Sequence, residues 1–478
     1  MKRHAVSAMG LLLALTANAG IELPDIFSDN MVLQHSSDAR IWGWSSPGAR
    51  ISVNPDWTDK SVDAVADTNG RWDLSVPTPD AGYTAHSITI KGDGDEITLS
   101  NVLMGEVWFC SGQSNMEMPL KGFWSQPVEN GGNAIAYSGR YPGIRVATVT
   151  RCGNYTPQDK VEGKWQESKP VNAGEFSAVA YFFARSLNDI LGVPVGVINC
   201  SLGGSKVEGW MPAWKLNSYP DCDVEREKAT ADSVLGLWER VNVMYNAMLH
   251  PLEGYTIKGF LWNQGEANVG RHADYPARLS DMVNIWRDEW GLGELPFYMV
   301  EIPAFSYGDP EGSVAAMLRE SQHVAAGLIP NSGIVCTTDL IYPHELDNIH
   351  GARKEEIGER LAFLAAKRTY GVEGLDIAFP KMKSVDCYGS KAIVHLENIE
   401  NGLTPNGALD GFEVAGADMV FHPANARELW YQHAIEVSSD KVDDIKSVRY
   451  CFKNFAIGSV HNLRGLPLLP FRTDNWDR

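Results

Sequence analysis

The sequence predicts an α/β protein in which a mostly parallel sheet lies between two regions of β structure. Strand-like apolar segments alternate with amphipathic helical segments from Leu103 to about residue 370. Short alternating strands, separated by Ser-Pro-Gly and Gly-Asp-Gly turns, occupy the stretch from Ile21 to about Ser100. Strand-like runs return after Tyr370. Alternation of strands and helices is typical of a parallel sheet covered by helices on both faces, so the α/β part lies in the middle.

These patterns divide the 478 residues into four segments, and two or three domains are usual at this length. We expect a leader at residues 1–19, an N-terminal β domain at 20–100, an α/β domain at 101–370 and a C-terminal β region at 371–478.

The first 19 residues have the pattern of a secretory signal peptide. A basic start, Met1-Lys2-Arg3-His4, precedes an apolar run from Ala5 to Leu15 that is too short to span a bilayer comfortably. Ala17-Asn18-Ala19 then supplies the small residues of a cleavage site. We therefore expect a secreted or periplasmic protein.

Composition narrows the possible partners. The formal net charge is −19 and no long basic run occurs, which argues against nucleic acid or an anionic membrane as a partner. The twelve histidines do not cluster and neither Cys-x-x-Cys nor His-Glu-x-x-His occurs, so we expect no metal and no cofactor.

Among seven cysteines, Cys110, Cys200 and Cys336 lie in apolar runs and should be buried. Cys387 and Cys451 could pair in an oxidising compartment. The sequence gives no indication of oligomeric state.

The elements of the α/β domain can be placed approximately. Besides the run that starts near Leu103, the predicted strands are residues 193–199, 257–262, 297–302 and 333–337. Apolar stripes at helical spacing lie between or after them, at residues 176–190, 279–290 and 357–365. Ligands of such sheets bind at the carboxyl ends of the strands, so a functional site is expected among the residues that follow each strand.

The first of these strand ends carries a candidate nucleophile. The apolar run from Leu103 ends in Cys110-Ser111-Gly112-Gln113-Ser114. A serine at such a corner can direct its hydroxyl into a cleft, with backbone N–H groups facing the same point. Acyl transfer needs this combination of a nucleophile and donors for the oxyanion. The alternative is that Ser114 only caps a helix that starts at Asn115.

Three further segments suit the same chemistry. In Asn199-Cys200-Ser201-Leu202-Gly203-Gly204 the paired glycines allow a backbone N–H to approach an oxyanion, although such pairs are also common in turns. Trp262-Asn263-Gln264-Gly265-Glu266-Ala267-Asn268 concentrates amide and carboxylate groups, which suit a sugar-like substrate or an ordinary capped turn. In Asp347-Asn348-Ile349-His350 the acid can accept the Nδ1 proton of the histidine and leave Nε2 as a base towards a serine.

Together these segments resemble the SGNH-type hydrolases, and in particular the sialate O-acetylesterase family. Gly112-Gln113-Ser114-Asn115-Met116 is similar to the family's nucleophile block, and Gln264-Gly265-Glu266 with Asn268 to its third block. The resemblance extends to Phe27-Ser28-Asp29-Asn30-Met31-Val32-Leu33-Gln34 near the start and to Pro470-Phe471-Arg472-Thr473-Asp474 at the end. It therefore covers nearly the whole mature chain. It implies a flavodoxin-like three-layer α/β/α core and a serine esterase that removes acetyl groups from sugars.

The resemblance also implies roles for individual residues. Ser114 is then the nucleophile, His350 the base and Asp347 the residue that orients the histidine. The N–H of Ser114, the N–H of Gly204 and the side chain of Gln264 form the oxyanion hole. The polar side chains beside them are candidates for substrate binding: Gln113, Asn115, Glu266 and Asn268.

This chain departs from the family's pattern around the histidine. Members commonly have Asp-Ile-His-Pro where it reads Asn348-Ile349-His350-Gly351, so the acid stands three positions before the histidine instead of two. Asp339 is therefore the reserve candidate for the orienting acid, and Glu345 a weaker one.

Two other classes of function remain open at this stage. Glu266 and Glu301 follow neighbouring strands, and a pair of glutamates could act in a retaining glycosidase, which would predict a barrel. A glycan-binding protein with an inert core is the other alternative. For the esterase, sialic acid, acetylated xylan and pectin fragments are all compatible sugars. Arg319 and Lys206 could pair with a substrate carboxylate, or lie at the surface.

Overall fold

Seven strands build the N-terminal part of the chain. The computed structural model describes residues 20–230, 235–400 and 402–476, so the predicted signal peptide lies outside the described residues. The strands are β1 (Val32–Gln34), β2 (Asp38–Trp44), β3 (Arg50–Pro55), β4 (Val62–Val65), β5 (Arg71–Pro77), β6 (Gly82–Gly92) and β7 (Asp95–Gly112). Strands β2 and β5 form a separate antiparallel pair, whereas the others join the large central sheet.

Strand β7 connects the N-terminal β structure to the α/β part. It is 18 residues long and starts eight residues before Leu103, where the apolar run begins. Its first half pairs with β6 and β1, and its second half is the strand that leads to Ser114. The predicted boundary between residues 100 and 101 therefore falls inside one continuous strand.

Six further strands complete the sheet of the α/β part. They are β8 (Ile144–Thr148), β9 (Trp165–Glu167), β10 (Val195–Ser201), β11 (Gly259–Asn263), β12 (Phe297–Val300) and β13 (Ser332–Val335). The strands β10, β7, β11, β12 and β13 are all parallel and have the order 2-1-3-4-5 of a flavodoxin-like sheet. Strand β8 adds to the β10 side and β9 pairs antiparallel to it. The predicted flavodoxin-like sheet is confirmed, and β8 and β9 are strands that the sequence patterns did not predict.

Helices cover both faces of this sheet. They are α1 (Ser114–Glu117), α2 (Gly131–Tyr137), α3 (Pro170–Ala173), α4 (Ala178–Leu191), α5 (Ala213–Leu216), α6 (Val224–Lys228), α7 (Tyr275–Trp290), α8 (Val314–Leu328) and α9 (Lys354–Arg368). Trp108 packs with residues of α4 and α9 in one core, and Phe109 packs with residues of α7 and α8 in the other. This alternation along β7 produces the predicted three layers.

The C-terminal region is a β structure with its own core that packs against the α/β part. Its strands are β14 (Lys381–Tyr388), β15 (Lys391–Glu397), β16 (Leu403–Thr404), β17 (Ala408–Leu409), β18 (Phe412–Ala415), β19 (Phe421–Pro423), β20 (Asn425–Leu429), β21 (Ala434–Ser438), β22 (Ser447–Tyr450), β23 (His461–Asn462) and β24 (Phe471–Arg472). A five-stranded and a four-stranded sheet share one hydrophobic cluster. The Asn454 side chain accepts a 2.8 Å hydrogen bond from the N–H of Ala315, which joins this region to α8.

Two expectations about the chemistry of the chain can be compared with this fold. All seven cysteines are free, so the Cys387–Cys451 disulfide does not form, whereas Cys110, Cys200 and Cys336 are buried as expected. In the ranges that the structure covers, no helix is long and apolar enough to cross a membrane.

Candidate active site

Three parallel strands end side by side at one edge of the sheet. Gly112, the last residue of β7, is in register with Ser201 of β10 on one side and with Asn263 of β11 on the other. A side chain at Gly112 would collide with the Asn263 backbone, since an added Cβ would lie 2.1 Å from its carbonyl oxygen. The close approach brings together the loops that follow these strands. The segments that contain Ser114, Gly204 and Gln264 therefore meet at this edge of the sheet.

Ser114 is the first residue of α1, directly after the β7 strand end. Gln113 occupies the N-cap position and makes no side-chain cap, so Ser114 does not have the capping role of the alternative interpretation. The Ser114 side chain is half-buried, and its hydroxyl makes no hydrogen bond to any described residue. At the start of a helix its N–H has no acceptor within the helix. Both the hydroxyl and the N–H are thus available to a substrate.

His350 lies on a loop that is bound directly to the serine loop. The side-chain amide of Asn115, the residue after the serine, donates a 3.1 Å hydrogen bond to the carbonyl oxygen of Ile349, the residue before the histidine. Phe123 packs edge-on against the His350 ring with 5.2 Å between the ring centroids. Nε2 of His350 is buried and has no hydrogen-bond partner in the part of the chain that the structure describes. The structure therefore brings Ser114 and His350 together on adjoining loops, without a hydrogen bond between them.

The pKa of His350 is lowered to about 4, first by burial and second by the positive charge of Lys354. Burial disfavours the charged imidazolium, and a nearby cation disfavours it further. The imidazole is therefore neutral at pH 7, which is the state that a general base requires.

None of the three acids considered from the sequence contacts His350. Asp347 is exposed, and its carboxylate accepts a 2.7 Å hydrogen bond from the Ser306 hydroxyl. The physical reason is the turn between them. The Asn348 side chain bonds both the N–H and the carbonyl of His350, at 3.1 and 3.0 Å, and closes a tight loop. The structure therefore does not bring Asp347 to the histidine, and its role as the orienting acid has no supporting contact.

The reserve acids are also occupied elsewhere. Asp339 forms an ion pair with Arg360 at 2.6 Å and a second one with His461 at 3.3 Å, and these partners lower its pKa to about 2 although burial opposes the shift. Glu345 accepts hydrogen bonds from the N–H groups of Tyr342 and Ala352, both at 2.9 Å. The atom that faces Nδ1 of His350 is instead the side-chain oxygen of Gln126, at 2.8 Å, a residue that the sequence analysis did not select.

The glycine pair lies against the serine. A Cβ added to Gly203 would lie 3.1 Å from Glu117 Oε2 and 3.3 Å from Ser114 Cβ, so a larger residue there would press on both side chains. The N–H of Gly203 donates to Glu117 at 2.5 Å. Gly204 has a φ of +78°, in the left-handed region that favours glycine, and its N–H has no acceptor in the part of the chain that the structure covers. This leaves Gly204 as the available donor of the pair.

Gln264 has no free N–H in this structure. Its side-chain nitrogen donates to the carbonyl of Ser205 at 3.0 Å and to Asn268 at 2.7 Å, and its oxygen accepts from Tyr275 at 3.0 Å. One of these bonds would have to break before Gln264 could donate to an oxyanion. Its predicted role in the oxyanion hole stays a prediction.

The four predicted substrate-binding side chains are buried. Gln113 accepts hydrogen bonds from the N–H groups of Gly265 and Ala267, at 3.3 and 3.2 Å. Asn268 accepts from the N–H of Val207 at 3.1 Å and donates to Glu208 at 3.0 Å. These contacts join loops to one another, because polar groups buried at strand ends need partners. Because these four side chains are buried, none of them presents a surface that a substrate could contact in this structure, and their predicted role in substrate binding stays a prediction.

Asn115 and Glu266 belong to a buried charged network beneath Ser114. The Asn115 side chain donates to Glu266 and accepts a 2.6 Å hydrogen bond from the ammonium group of Lys354. Burial raises the pKa of Glu266, and it lowers the pKa of Lys354 to about 8 although Glu266 partly opposes that shift. The Asn115 amide is held between these two groups, and the residue after the nucleophile therefore has a fixed orientation. Sequence reasoning missed Lys354, because lysine side chains are rarely buried.

Of the remaining acidic and basic candidates, Glu301 and Arg319 lie inside the protein, whereas Lys206 is half-buried. Glu301 is fully buried and bonded to His323 at 2.6 Å and to Thr338 at 2.9 Å. The Arg319 side chain is also buried and donates to the carbonyl of Lys453. The sheet is open, which contradicts the barrel that the glycosidase alternative predicted. Within residues 20–230, 235–400 and 402–476 no group of three or more His, Cys, Asp or Glu could hold a metal.

A groove of about 820 Å³ opens beside the two loops. Glu117, which contacts Gly203, and Phe123, which contacts His350, line its near end. Trp124 is 94% exposed in this groove, an unusual position for a large aromatic side chain. Arg151 and Lys164 add positive charge to the wall. The site therefore combines a serine, a neutral histidine and a polar groove with an exposed aromatic ring.

This chain is similar to known carbohydrate esterases over most of its length. The family model described as carbohydrate esterase, sialic acid-specific acetylesterase, matches residues 104–367. The human sialate O-acetylesterase is 27% identical over 425 residues, which cover 81% of this chain and 80% of that protein. The mouse sialate O-acetylesterase is 25% identical over 440 residues, covering 80% of this chain and 79% of that protein.

A solved structure extends the match to nearly the whole chain. A carbohydrate acetylesterase from Xanthomonas citri has 34% sequence identity and a TM-score of 0.83, and the alignment covers 95% of this chain and 100% of that one. These matches are broad enough to show family membership. The chain is a carboxylic-ester hydrolase and belongs to the family of sialic acid-specific acetylesterases among the carbohydrate esterases.

Proposed function

We propose that this protein removes O-acetyl groups from sugars by way of an acetyl-enzyme on Ser114, with His350 as the general base. The observation that carries the proposal is the pair of adjoining segments that the Asn115–Ile349 hydrogen bond joins. On these segments the Ser114 hydroxyl and the His350 Nε2 both have no hydrogen-bond partner among the described residues. In free enzymes a catalytic hydrogen bond is often formed only when the substrate binds.

The chemistry follows from these two groups. Nε2 of His350 takes the hydroxyl proton of Ser114 while Oγ attacks the acetyl carbon, and the carbonyl oxygen becomes an oxyanion. The N–H groups of Ser114 and Gly204 are the available donors for this oxyanion. The imidazolium then returns its proton to the departing sugar oxygen. In the second half, His350 takes a proton from water, the hydroxide attacks the acetyl group, and Ser114 recovers its proton as acetate leaves.

The groove favours a carboxylated sugar such as sialate over neutral xylan. Among the described residues Lys164 makes no ion pair or hydrogen bond, and Arg151 pairs with Glu117 at 2.9 Å with most of its side chain exposed. The other charged residues of the lining, Lys121 and Glu175, pair with each other, so the groove has an excess of one positive charge. Cations in a cleft attract an anionic substrate, whereas neutral xylan carries no charge that they could attract. The signal-peptide pattern of residues 1–19 adds the proposal that the enzyme acts outside the cytoplasm.

Acetate release from a panel of substrates tests the function. O-acetylated sialic acid, acetylated xylan fragments, acetylated pectin fragments and a chromogenic acetate ester are each incubated with the purified enzyme. We expect release of acetate, with the highest kcat/KM on the sialate. Higher kcat/KM on xylan would reject sialate as the substrate, and cleavage of glycosidic bonds without acetate release would reject the esterase.

Trp124 provides a prediction for substrate binding. Trp124 lies in the groove and follows Phe123, which packs on His350. An exposed indole at this position is suited to stack on a sugar ring, and such a contact contributes roughly 1 kcal/mol. We expect Trp124→Ala to raise KM for an acetylated oligosaccharide about three- to tenfold with little change in kcat. Trp430→Ala is the matched control, since that tryptophan is also exposed but lies in the C-terminal region. An equal KM increase in both variants, or none in Trp124→Ala, would contradict the stacking role.

A further inference from the structure

A glutamine faces the histidine nitrogen at which a serine hydrolase usually has a carboxylate. Nδ1 of His350 is 2.8 Å from Oε1 of Gln126, across 224 positions of sequence. Building on the proposed Ser114–His350 mechanism, we propose that Gln126 is the positioning residue that holds His350 in its reactive tautomer and orientation, so that the third member of the triad is a neutral amide.

The hydrogen bond determines where the imidazole proton lies. A carboxamide oxygen only accepts hydrogen bonds, so Nδ1 must carry the proton and donate it to Gln126. Nε2 is then the nitrogen with a free lone pair, as the base towards Ser114 requires. This agrees with the buried Nε2, which has no donor pointing at it among the described residues.

The loop that carries Gln126 is suited to hold a ring in place. The N–H of Phe123 bonds the carbonyl of Gln126 at 3.0 Å, and the N–H of Gln126 bonds the carbonyl of Phe123 at 3.1 Å. This reciprocal pair closes a tight turn whose first residue packs on the His350 ring at an interplanar angle of 71° and whose last residue bonds its Nδ1. A single turn therefore holds the His350 ring in two ways, by the edge-on contact of Phe123 and by the hydrogen bond of Gln126.

Replacing the carboxylate by an amide changes the electrostatics of the base. A carboxylate stabilises the imidazolium and raises its pKa, whereas an amide has no net charge. The charged group acting on His350 is Lys354 of α9, which disfavours the imidazolium. The nearby carboxylates are bound by other groups: Asp347 by Ser306, Glu345 by backbone N–H groups and Glu266 by Asn115. The resulting base is weaker and stays neutral to lower pH.

Two variants of Gln126 test this proposal. Gln126→Met keeps the shape and removes the amide oxygen, so we expect kcat on a chromogenic acetate ester to fall about tenfold or more with KM nearly unchanged. Gln126→Glu keeps an acceptor and adds a charge, so we expect kcat to be retained at neutral pH. In this second variant the acid limb of kcat/KM should move up by about one pH unit or more.

The controls separate this proposal from the proposed function. Gln158→Met changes another half-buried loop glutamine, whose side chain bonds only the carbonyls of Thr156 and Pro157, and should leave both parameters unchanged. If Ser114→Ala abolishes activity while both Gln126 variants keep the wild-type kcat and acid limb, Gln126 has no positioning role. A large loss in Asp347→Asn with none in Gln126→Met would transfer the role to Asp347. Full activity of Ser114→Ala would instead reject the proposed function.

Discussion

Ser114→Ala is expected to lower kcat for acetyl-ester hydrolysis by about 10⁴-fold or more, because it removes the proposed nucleophile that forms the acetyl-enzyme. The fold should remain intact. The hydroxyl is half-buried and makes no hydrogen bond to the described residues, so its removal leaves no buried group unsatisfied. Alanine is also a better helix former than serine at the start of α1.

The measurement is initial-rate kinetics on a chromogenic acetate ester, together with thermal unfolding of the same preparations. Ser218→Ala is a suitable control, since that serine is exposed and its hydroxyl bonds only the nearby carbonyl of Lys215. Residual turnover of Ser114→Ala within a hundredfold of wild type, in a preparation with unchanged melting temperature, would show that another residue is the nucleophile.

His350→Ala should have an effect of similar size, about 10⁴-fold in kcat. The nucleophile and the base act as a unit, so removal of either one abolishes most of the rate enhancement. His395→Ala is the matched control, as that imidazole lies in the C-terminal region beside Asp386 at 3.1 Å. A loss of less than tenfold in His350→Ala would exclude it as the base.

The pH dependence of the wild-type enzyme tests the same residue in another way. Only the neutral imidazole can take the serine proton, so kcat/KM should rise with pH through the pKa of His350 and then level off. That pKa is lowered to about 4, so the rise is expected near pH 4 and not at the pH of 6 to 7 expected for an unperturbed histidine. A midpoint above pH 6 would mean that a carboxylate stabilises the imidazolium.

The fold could be predicted from the sequence because it depends on local periodicity. The helical stripes of residues 176–190 and 279–290 correspond to α4 and α7, and four of the predicted strands lie within two or three residues of the observed ones. Strand β8 was missed, since its five residues include Arg145, which is buried although arginine normally indicates a surface position.

The site could be predicted only in part. Ser114 and His350 became candidates from their positions after a strand end and before a helix, and their roles come from the resemblance to the SGNH-type hydrolases. Gln126 has no such pattern: it lies in an irregular loop, and its contact with His350 depends on how two distant segments meet. The spacing of Asp347 suggested a contact that the side chain of Asn348 prevents by closing the turn. Sequence spacing indicates which groups are near one another, not which way they point.

The 18-residue strand β7 has a consequence for how this protein can evolve. Its first half is paired in the N-terminal β structure and its last residues lead straight to the nucleophile, with Trp108 and Phe109 on opposite faces. Deleting a single residue within it would exchange these two rings between the cores or pull Ser114 back by one position, since side chains alternate along a strand. A change in the length of β7 should therefore be tolerated less well than substitutions at its exposed positions, because the length of β7 sets the distance between the N-terminal strands and Ser114.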